Sequence, residues 1–285
     1  MAPVARRRRV AVIGLGCIGG SLARALGGQG VDVRAWSSSR SDRERAAGAG
    51  VCVTGDDGDG AAVAAAGASQ IVLAVPVSSI ASAARAALTH AAPDALVLHV
   101  GGLQRADSLR LDDVLRRRVL GTHPLAGSHN SGFDASRPDM FVGCSVSIES
   151  RAPEESRTTA EWLWRTVGAS RIEYRDAEQH DRLMAWVSHL PQLTATALAA
   201  TLAEHGVDGA NVGPGARDTT RLAASSYALW RDLVRGSPRE MAFALDALAQ
   251  TLMDLRDALA ADDGERAEAL WEAGRLWRAR AEGTT

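Results

Sequence analysis

Seven histidines, 32 basic residues that are all arginine, and no lysine decide how this chain can move protons and hold anions. One histidine stands out by its place. His123 closes the apolar run Val119–Thr122 and precedes Pro124, so its imidazole sits where a buried strand gives way to a loop. A neutral imidazole can accept a proton near pH 7. Further on, Arg217-Asp218-Thr219-Thr220-Arg221 offers permanently charged guanidinium forks suited to a carboxylate. Near the N-terminus, the strand-like Val10–Ile13 runs into Gly14-Leu15-Gly16-Cys17-Ile18-Gly19, and a helical stretch follows from Ser21 to Leu26. In this G-x-G-x-x-G, Gly14 permits a tight turn, Gly16 lets the backbone approach a pyrophosphate, and Gly19 lets helix and strand pack closely. The amides of Cys17 and Ile18 at the helix start then face the phosphates. Strand before and helix behind make the motif specific. The dinucleotide cradle is the specific signal here, and His123 is the best-placed candidate base.

The end of the second strand predicts which dinucleotide. NAD binders place an acid there to hold the ribose hydroxyls. This chain has Trp36-Ser37-Ser38-Ser39-Arg40, with Arg43 and Arg45 following. Hydroxyls and a guanidinium can hold a 2′-phosphate that a carboxylate would repel, so Ser37, Ser38 and Arg40 predict NADP. The alternative is a polar turn that simply lacks its acid, and NAD remains possible. With no lysine, the Tyr-x-x-x-Lys mechanism and others that move protons through lysine are excluded. The proton acceptor must be His, Asp or Glu. No His-x-His or H-E-x-x-H cluster appears, so no metal site is predicted. Asp56-Asp57-Gly58-Asp59-Gly60 looks faintly like a calcium loop, but Gly67 stands at the closing position and a solvated turn is expected.

These residues need elements to position them. The first half alternates short β runs with Ala-rich helical stretches, the pattern of a Rossmann-type doubly wound α/β sheet. Strands are predicted at 10–14, 31–36, 51–53, 71–75, 96–100, 119–122 and 145–149. From about Asp176 helical periodicity takes over, giving an all-α helical domain. Met241, Leu245, Leu248, Leu252, Leu255 and Leu259 form one apolar stripe on a helix of roughly six turns, long enough for a bundle or a dimer seam. The last helix, with Trp271 and Trp277, has no evident role but packing. The predicted division is a dinucleotide-binding domain over 1–150, a linking helix and connector over 151–175, and a helical substrate and dimerisation domain over 176–285.

The net charge of −2 argues against nucleic acid or an anionic membrane as partner. Arg6-Arg7-Arg8-Arg9 reads as a solvated lead-in to the first strand. Three cysteines without CxxC spacing fit a reducing cytoplasm. No signal peptide or apolar run of spanning length is seen, so a soluble cytoplasmic protein is expected.

Four ordered stretches resemble the prephenate/arogenate dehydrogenase family. Gly121-Thr122-His123-Pro124-Leu125-Ala126-Gly127, reaching Gly132, is similar to its H-P-x-A-G-x-x-x-x-G motif. Ala74-Val75-Pro76-Val77 resembles its loop beside the cofactor, and His180-Asp181 through Ser188-His189-Leu190-Pro191 its H-D-x-x-x-A-x-x-S-H-L-P helix. Gly213 to Arg221, with Trp230 beyond, resembles its D-T-T-R segment. The resemblance implies that His123 accepts the proton of the substrate's ring hydroxyl and that Arg221 binds a carboxylate. It implies further that Asp218 joins an ion-pair network, that Trp230 lines the pocket, and that helical domains intertwine as a homodimer. His189 falls within the same substrate region, while Val75, Pro76 and Gly101 flank the cofactor. The substrate implied is a cyclohexadiene carboxylate that loses carbon dioxide as its ring aromatises.

The chain departs from that pattern inside the pocket. His99-Val100-Gly101-Gly102 stands where the family carries D-V-G/A-S, so Gly102 replaces a serine and His99 an aspartate. Gln192 stands where prephenate users often carry histidine, which points mildly away from prephenate. Arogenate, prephenate and the 4-amino-4-deoxy analogue all remain candidates. So do two rivals: another Rossmann imine or keto-acid reductase, and a non-catalytic NADP-binding regulator.

Overall fold

The computed structural model describes residues 8–55, 58–128 and 130–283. Arg6 and Arg7 of the basic run, Asp56 and Asp57 of the acidic turn, and His129 lie outside the described residues. The apolar runs form seven strands: β1 (Arg9–Ile13), β2 (Asp32–Trp36), β3 (Gln70–Leu73), β4 (Leu96–His99), β5 (Val119–Pro124), β6 (Ser145–Glu149) and β7 (Arg171–Arg175). They make one sheet in the order β2-β1-β3-β4-β5-β6-β7. β1 to β5 are parallel; β6 runs against β5 and parallel to β7. The order reverses between β1 and β3, and such a switch opens a crevice at the strands' carboxyl ends.

Register decides what meets in that crevice. Ile13 pairs with both Trp36 and Leu73, Leu73 with His99, and His99 with Gly121. Gly14, Ser37, Ala74 and Val100 therefore leave the sheet along one edge, level with Thr122 of β5. Helices cover both faces, which is why the strands are apolar throughout. On one face lie α1 (Cys17–Gly28), α2 (Arg40–Gly48) and, further along the chain, the helix over Glu154–Thr166; on the other lie α3 (Gly60–Ala65), α4 (Ile80–Leu88) and α5 (Asp113–Arg116).

Two sequence expectations change. Residues 51–53 do not make a strand; only Val53 bridges to Ala35. Gly50 and Gly55, both at φ +83°, turn the chain on either side and leave no room for a longer run. Residues 151–175 are not a mere connector. The helix Glu154–Thr166, now α6, sends Leu163 and Trp164 into the core, with Trp164 edge-on to Phe141 at 5.4 Å between centroids. β7 then extends the sheet to Arg175. Its Arg-Ile-Glu-Tyr-Arg sequence is charged because an edge strand is solvated, and that hid it from an apolar pattern.

The second half is helical: α7 (Ala177–Met184), one π turn (Ala185–His189), α8 (Leu190–Glu204), α9 (Pro214–Thr220), a 3₁₀ turn (Arg221–Ala224), α10 (Tyr227–Gly236), α11 (Pro238–Ala260) and α12 (Gly264–Glu282). α11 has the expected length, but its stripe is buried only at the start. Met241 is buried, whereas Leu252 and Leu259 are exposed. α12 buries no residue, and Trp271 is 76% exposed. Among the described residues no helix is long and apolar enough to cross a membrane. So much apolar surface on one helical layer calls for a partner. Light scattering at micromolar concentration is expected to give about twice the 29.9 kDa chain mass. Trp271→Arg combined with Trp277→Arg should shift the protein toward monomer; a wild-type monomer would refute the expectation.

Candidate active site

The glycine turn after β1 has the shape its sequence implied. Gly14 sits at φ +96°, and a Cβ there would lie 2.2 Å from the carbonyl oxygen of Ala74. A Cβ on Gly19 would lie 1.8 Å from the carbonyl oxygen of Gly14, whereas one on Gly16 would meet nothing within 4 Å. Two glycines are thus demanded by packing, and the third keeps the approach to α1 open. Gly16 precedes α1 without a side-chain cap, so the first amides of a 12-residue helix remain available to an anion. Cys17 and Ile18 contribute only backbone: the Cys17 thiol points to the carbonyl of Ala135 at 3.4 Å, and Ile18 packs on the core. A cleft of about 760 Å³ follows, lined by Gly14, Gly16, Ser37, Ser38, Val75 and Pro76 among others. A pyrophosphate on the glycine turn and a ribose at the end of β2 fit this cradle.

The three arginines after β2 separate. Arg40 does not line the cleft; it pairs with Glu44 at 2.9 Å on the helix surface, as an i,i+4 spacing favours. Arg45 pairs with Asp134 at 2.8 Å. Arg43 instead donates to the Ser37 carbonyl at 2.6 Å, with its guanidinium 6.0 Å from the Trp36 ring centre. Neither Arg40 nor Arg43 lines the cleft, but Arg43 is held against Ser37 and Trp36 at the end of β2, whereas Arg40, the residue expected there, turns to Glu44.

His123 lies in β5 at the switch from parallel to antiparallel pairing, opposite Ser147. Its Nδ1 is 3.0 Å from Nε2 of His180, whose Nδ1 is 2.8 Å from Oδ1 of Asp181. Asp181 also accepts the backbone N–H groups of Gln104 at 2.8 Å and Arg105 at 3.1 Å. A Cβ added to Gly102 would stand 3.9 Å from Nε2 of His123 and 3.1 Å from Leu233. The outer nitrogen of His123 thus faces the position where a side chain has been deleted. Burial, and then the neighbouring His180, His99 and His189, hold the His123 imidazole below its ordinary range. His99, fully buried, is pushed down to about 3 by desolvation first and His180 second. Its Nδ1 accepts the N–H of Gly101 at 3.3 Å, so His99 shapes the Gly101–Gly102 turn from beneath.

The helical half closes on the same edge. His189 ends the π turn, buried, and meets the Trp230 ring edge-on at 5.9 Å between centroids. π turns often mark functional sites, since the added residue re-aims side chains. Asp232, two residues after Trp230, accepts from the Ser78 hydroxyl at 2.6 Å and its N–H at 3.1 Å, linking α10 to the Val75–Pro76 loop. Gln192 is buried and donates to the Leu222 carbonyl at 2.9 Å, so it braces the turn that bears Arg221. Arg221 itself is exposed. Among the described residues neither it nor Asp218 makes an ion pair, so the expected network at Asp218 is not formed within one chain. His180 and Asp181 stood in a recognised motif without being singled out as site residues; their signal was only that two polar residues sit adjacent in an otherwise amphipathic helix.

With this geometry the comparisons can be weighed. Residues 22–170 match the family model "Prephenate dehydrogenase, nucleotide-binding domain", and residues 176–272 match "Prephenate dehydrogenase, dimerization domain". The chain belongs to the prephenate dehydrogenase family. A cyclohexadienyl dehydrogenase of Zymomonas mobilis is 31% identical over 268 residues, 90% of each chain. A prephenate dehydrogenase of Lactococcus lactis is 26% identical across 95% of this chain and 77% of its own. The fold is shared with an Aquifex aeolicus prephenate dehydrogenase crystallised with hydroxyphenyl propionate and NAD+, at TM-score 0.87 and 24% identity over 96% of this chain and 98% of that one. The chain is therefore an NAD(P)-dependent dehydrogenase of the prephenate/arogenate type on a Rossmann domain followed by a helical domain. The reductase and regulator rivals lose their footing.

The cradle gives a direct test. Gly19→Ala must displace the Gly14 carbonyl, so dinucleotide binding measured by fluorescence or calorimetry should fall at least tenfold, a loss of about 1.4 kcal/mol or more. Gly16→Ala meets open space on the protein side and would lose affinity only through crowding of the bound cofactor. Unchanged binding in the Gly19 variant would remove the glycine turn from the site.

Proposed function

We propose that this dehydrogenase oxidatively decarboxylates an arogenate- or prephenate-like cyclohexadiene with NADP as preferred acceptor, His123 as base and Arg221 as carboxylate anchor. The observation that carries the reading is His123: its outer nitrogen opens toward Gly102 on the edge where the cofactor cleft ends. When bound, the nicotinamide would supply the hydride acceptor, with Val75, Pro76 and Gly101 among the residues that would hold it. His123 takes the ring hydroxyl proton at Nε2 as the carbon it sits on gives up hydride and becomes a carbonyl. The carboxylate carbon leaves as carbon dioxide, and its bond electrons run through the ring to the carbonyl oxygen, giving an aromatic phenolate that takes up a proton. A buried imidazole that resists protonation suits this part, because only its neutral form can accept the proton. Arg221, exposed on a turn braced by Gln192, and Trp230 against His189 form the substrate side. The Ser37–Ser39 hydroxyls and the Arg43 guanidinium support the 2′-phosphate, although the Aquifex aeolicus relative was crystallised with NAD+. A second reading, the 4-amino-4-deoxy analogue, is favoured by Gly102, which sets no hydroxyl beside the His123 ring edge where the family carries a serine. A homodimer acting in a reducing cytoplasm fits the exposed helical face and the three unpaired cysteines.

Steady-state kinetics with prephenate, arogenate and the 4-amino analogue, following reduced cofactor and carbon dioxide, test the proposal. His123→Asn should lower kcat by roughly 10²–10⁴ with KM little changed. Arg221→Ala should mainly raise KM for the substrate. The sign of the pH dependence follows from His123: protonation inactivates it and its pKa is depressed, so the acid limb of kcat/KM should lie below the usual histidine value of about 6.5. Near-normal turnover in the His123 variant would assign the base elsewhere, with His99 the first suspect.

Cofactor choice is tested separately. The unmodified enzyme should give NADP the higher kcat/KM, and Ser37→Asp should shift preference toward NAD. Equal use of NAD by the unmodified protein would sink the NADP assignment.

A further inference from the structure

A neutral imidazole offers a lone pair at only one nitrogen, so a base must hold the right tautomer before substrate arrives. The contacts behind His123 fix that choice. Asp181 is 1% exposed, and an ionised carboxylate only accepts hydrogen bonds. Its 2.8 Å contact with Nδ1 of His180 therefore places a proton on that nitrogen. The reverse assignment would set a bare nitrogen against a carboxylate oxygen in a buried site, an uncompensated repulsion. A His180 carrying that one proton keeps its lone pair on Nε2, and the 3.0 Å contact to His123 then places a proton on His123 Nδ1. One lone pair remains, on His123 Nε2, the atom that faces Gly102.

We infer that His180 and Asp181 are positioning residues which lock His123 in its Nδ1–H tautomer and leave Nε2 free to accept the substrate proton. The consequence for the reaction rests on His123 being the base, whereas the tautomer does not. Asp181 can serve because its charge is already answered by three donors: the Gln104 and Arg105 amides and His180. The amides come from the loop after β4, so the same carboxylate that sets the tautomer is fixed to the sheet. The logic is that by which a buried aspartate orients the imidazole of serine-protease triads, here with a second histidine interposed. As substrate gives up its proton, positive charge arising on His123 is shared toward His180 and the carboxylate beyond it.

Nitrogen NMR of the full-length protein labelled in its histidines, at neutral pH and without substrate, reads the tautomers directly. His123→Asn and His180→Phe assign the signals. The expected result is a protonated Nδ1 and a bare Nε2 in both rings. A His123 protonated at Nε2, or a doubly protonated His180, overturns the inference. Kinetics give the second arm. His180→Phe removes the acceptor and should lower kcat by roughly 10²–10⁴, the range seen when a catalytic histidine is left in the wrong tautomer or lacks its base function, with KM and NADP affinity unchanged. His180→Gln restores a carbonyl acceptor and should recover part of that loss. Full activity in His180→Phe overturns the inference. Should that variant not fold, the NMR of the unmodified protein still decides. Should His123→Asn retain turnover, the base assignment fails while the tautomer measurement stands on its own.

Discussion

A single buried carboxylate holds the two halves of this enzyme in relation to each other. Asp181 belongs to the first helix of the helical domain, yet two of its hydrogen-bond donors are backbone amides from the loop after β4. An ionised group with 1% exposure is tolerated only when its acceptor sites are filled, and breaking such a set costs far more than making it gains. The helix is thereby pinned to the sheet edge at one register, and His180 beside Asp181 is delivered behind His123. Other ties follow the same seam. Arg105 reaches Glu240 at 2.6 Å, and Ser108 donates to the Gly236 carbonyl at 2.9 Å, so α10 and α11 are anchored to the same loop.

Gly102 gains its meaning from this arrangement. The loop carrying it is held by Asp181 from one side and by the His99 ring from below, so its backbone path is fixed whether or not a side chain is present. Replacing serine by glycine there deletes a hydrogen-bonding group beside the base without moving the base. What fills part of the space is Leu233, an apolar side chain from the helix that also carries Trp230. At Gly102 an apolar side chain, Leu233, and the His123 ring edge are what a side chain would meet. Gln192 shows the same economy: where a histidine would address the substrate, its amide is spent on the Leu222 carbonyl and steadies the turn that presents Arg221.

The parallel sheet and the cofactor cradle were legible in the sequence because local chemistry dictates them. Gly14 and Gly19 announce contacts that no other residue can make, and strands buried on both faces are apolar without interruption. β7 escaped because an edge strand obeys solvation rather than burial. Arg40 was misread for a related reason: sequence placed a cation near the ribose but not its preference for Glu44, one helical turn away, over the cleft. The His123–His180–Asp181 chain was invisible, since nothing local tells that residues 57 positions apart share a proton network. It arises only where α7 crosses the end of β5, and long-range pairing of this kind is set by packing.

The two sides of the site are built to different degrees, and this bears on how the enzyme works. The cleft after β1 is lined by residues of one chain and shaped by glycine packing and strand register. The substrate side depends on α10, joined to the cofactor loop through Asp232 and Ser78 and to the base through Leu233 and Gly102. The Ser78 hydroxyl and amide hold the Asp232 carboxyl below its ordinary range, so the joint weakens only when acid protonates that carboxyl. Arg221 by contrast stands exposed beside helices whose apolar faces are themselves uncovered. An exposed guanidinium is screened by water, and in a drier surrounding it would discriminate far more sharply between a carboxylate and its absence. α11 and α12 leave Leu252, Leu259, Trp271 and Trp277 exposed, and residues 176–272 match a dimerisation domain, so the apolar surface left open within one chain is the surface that a second copy would cover.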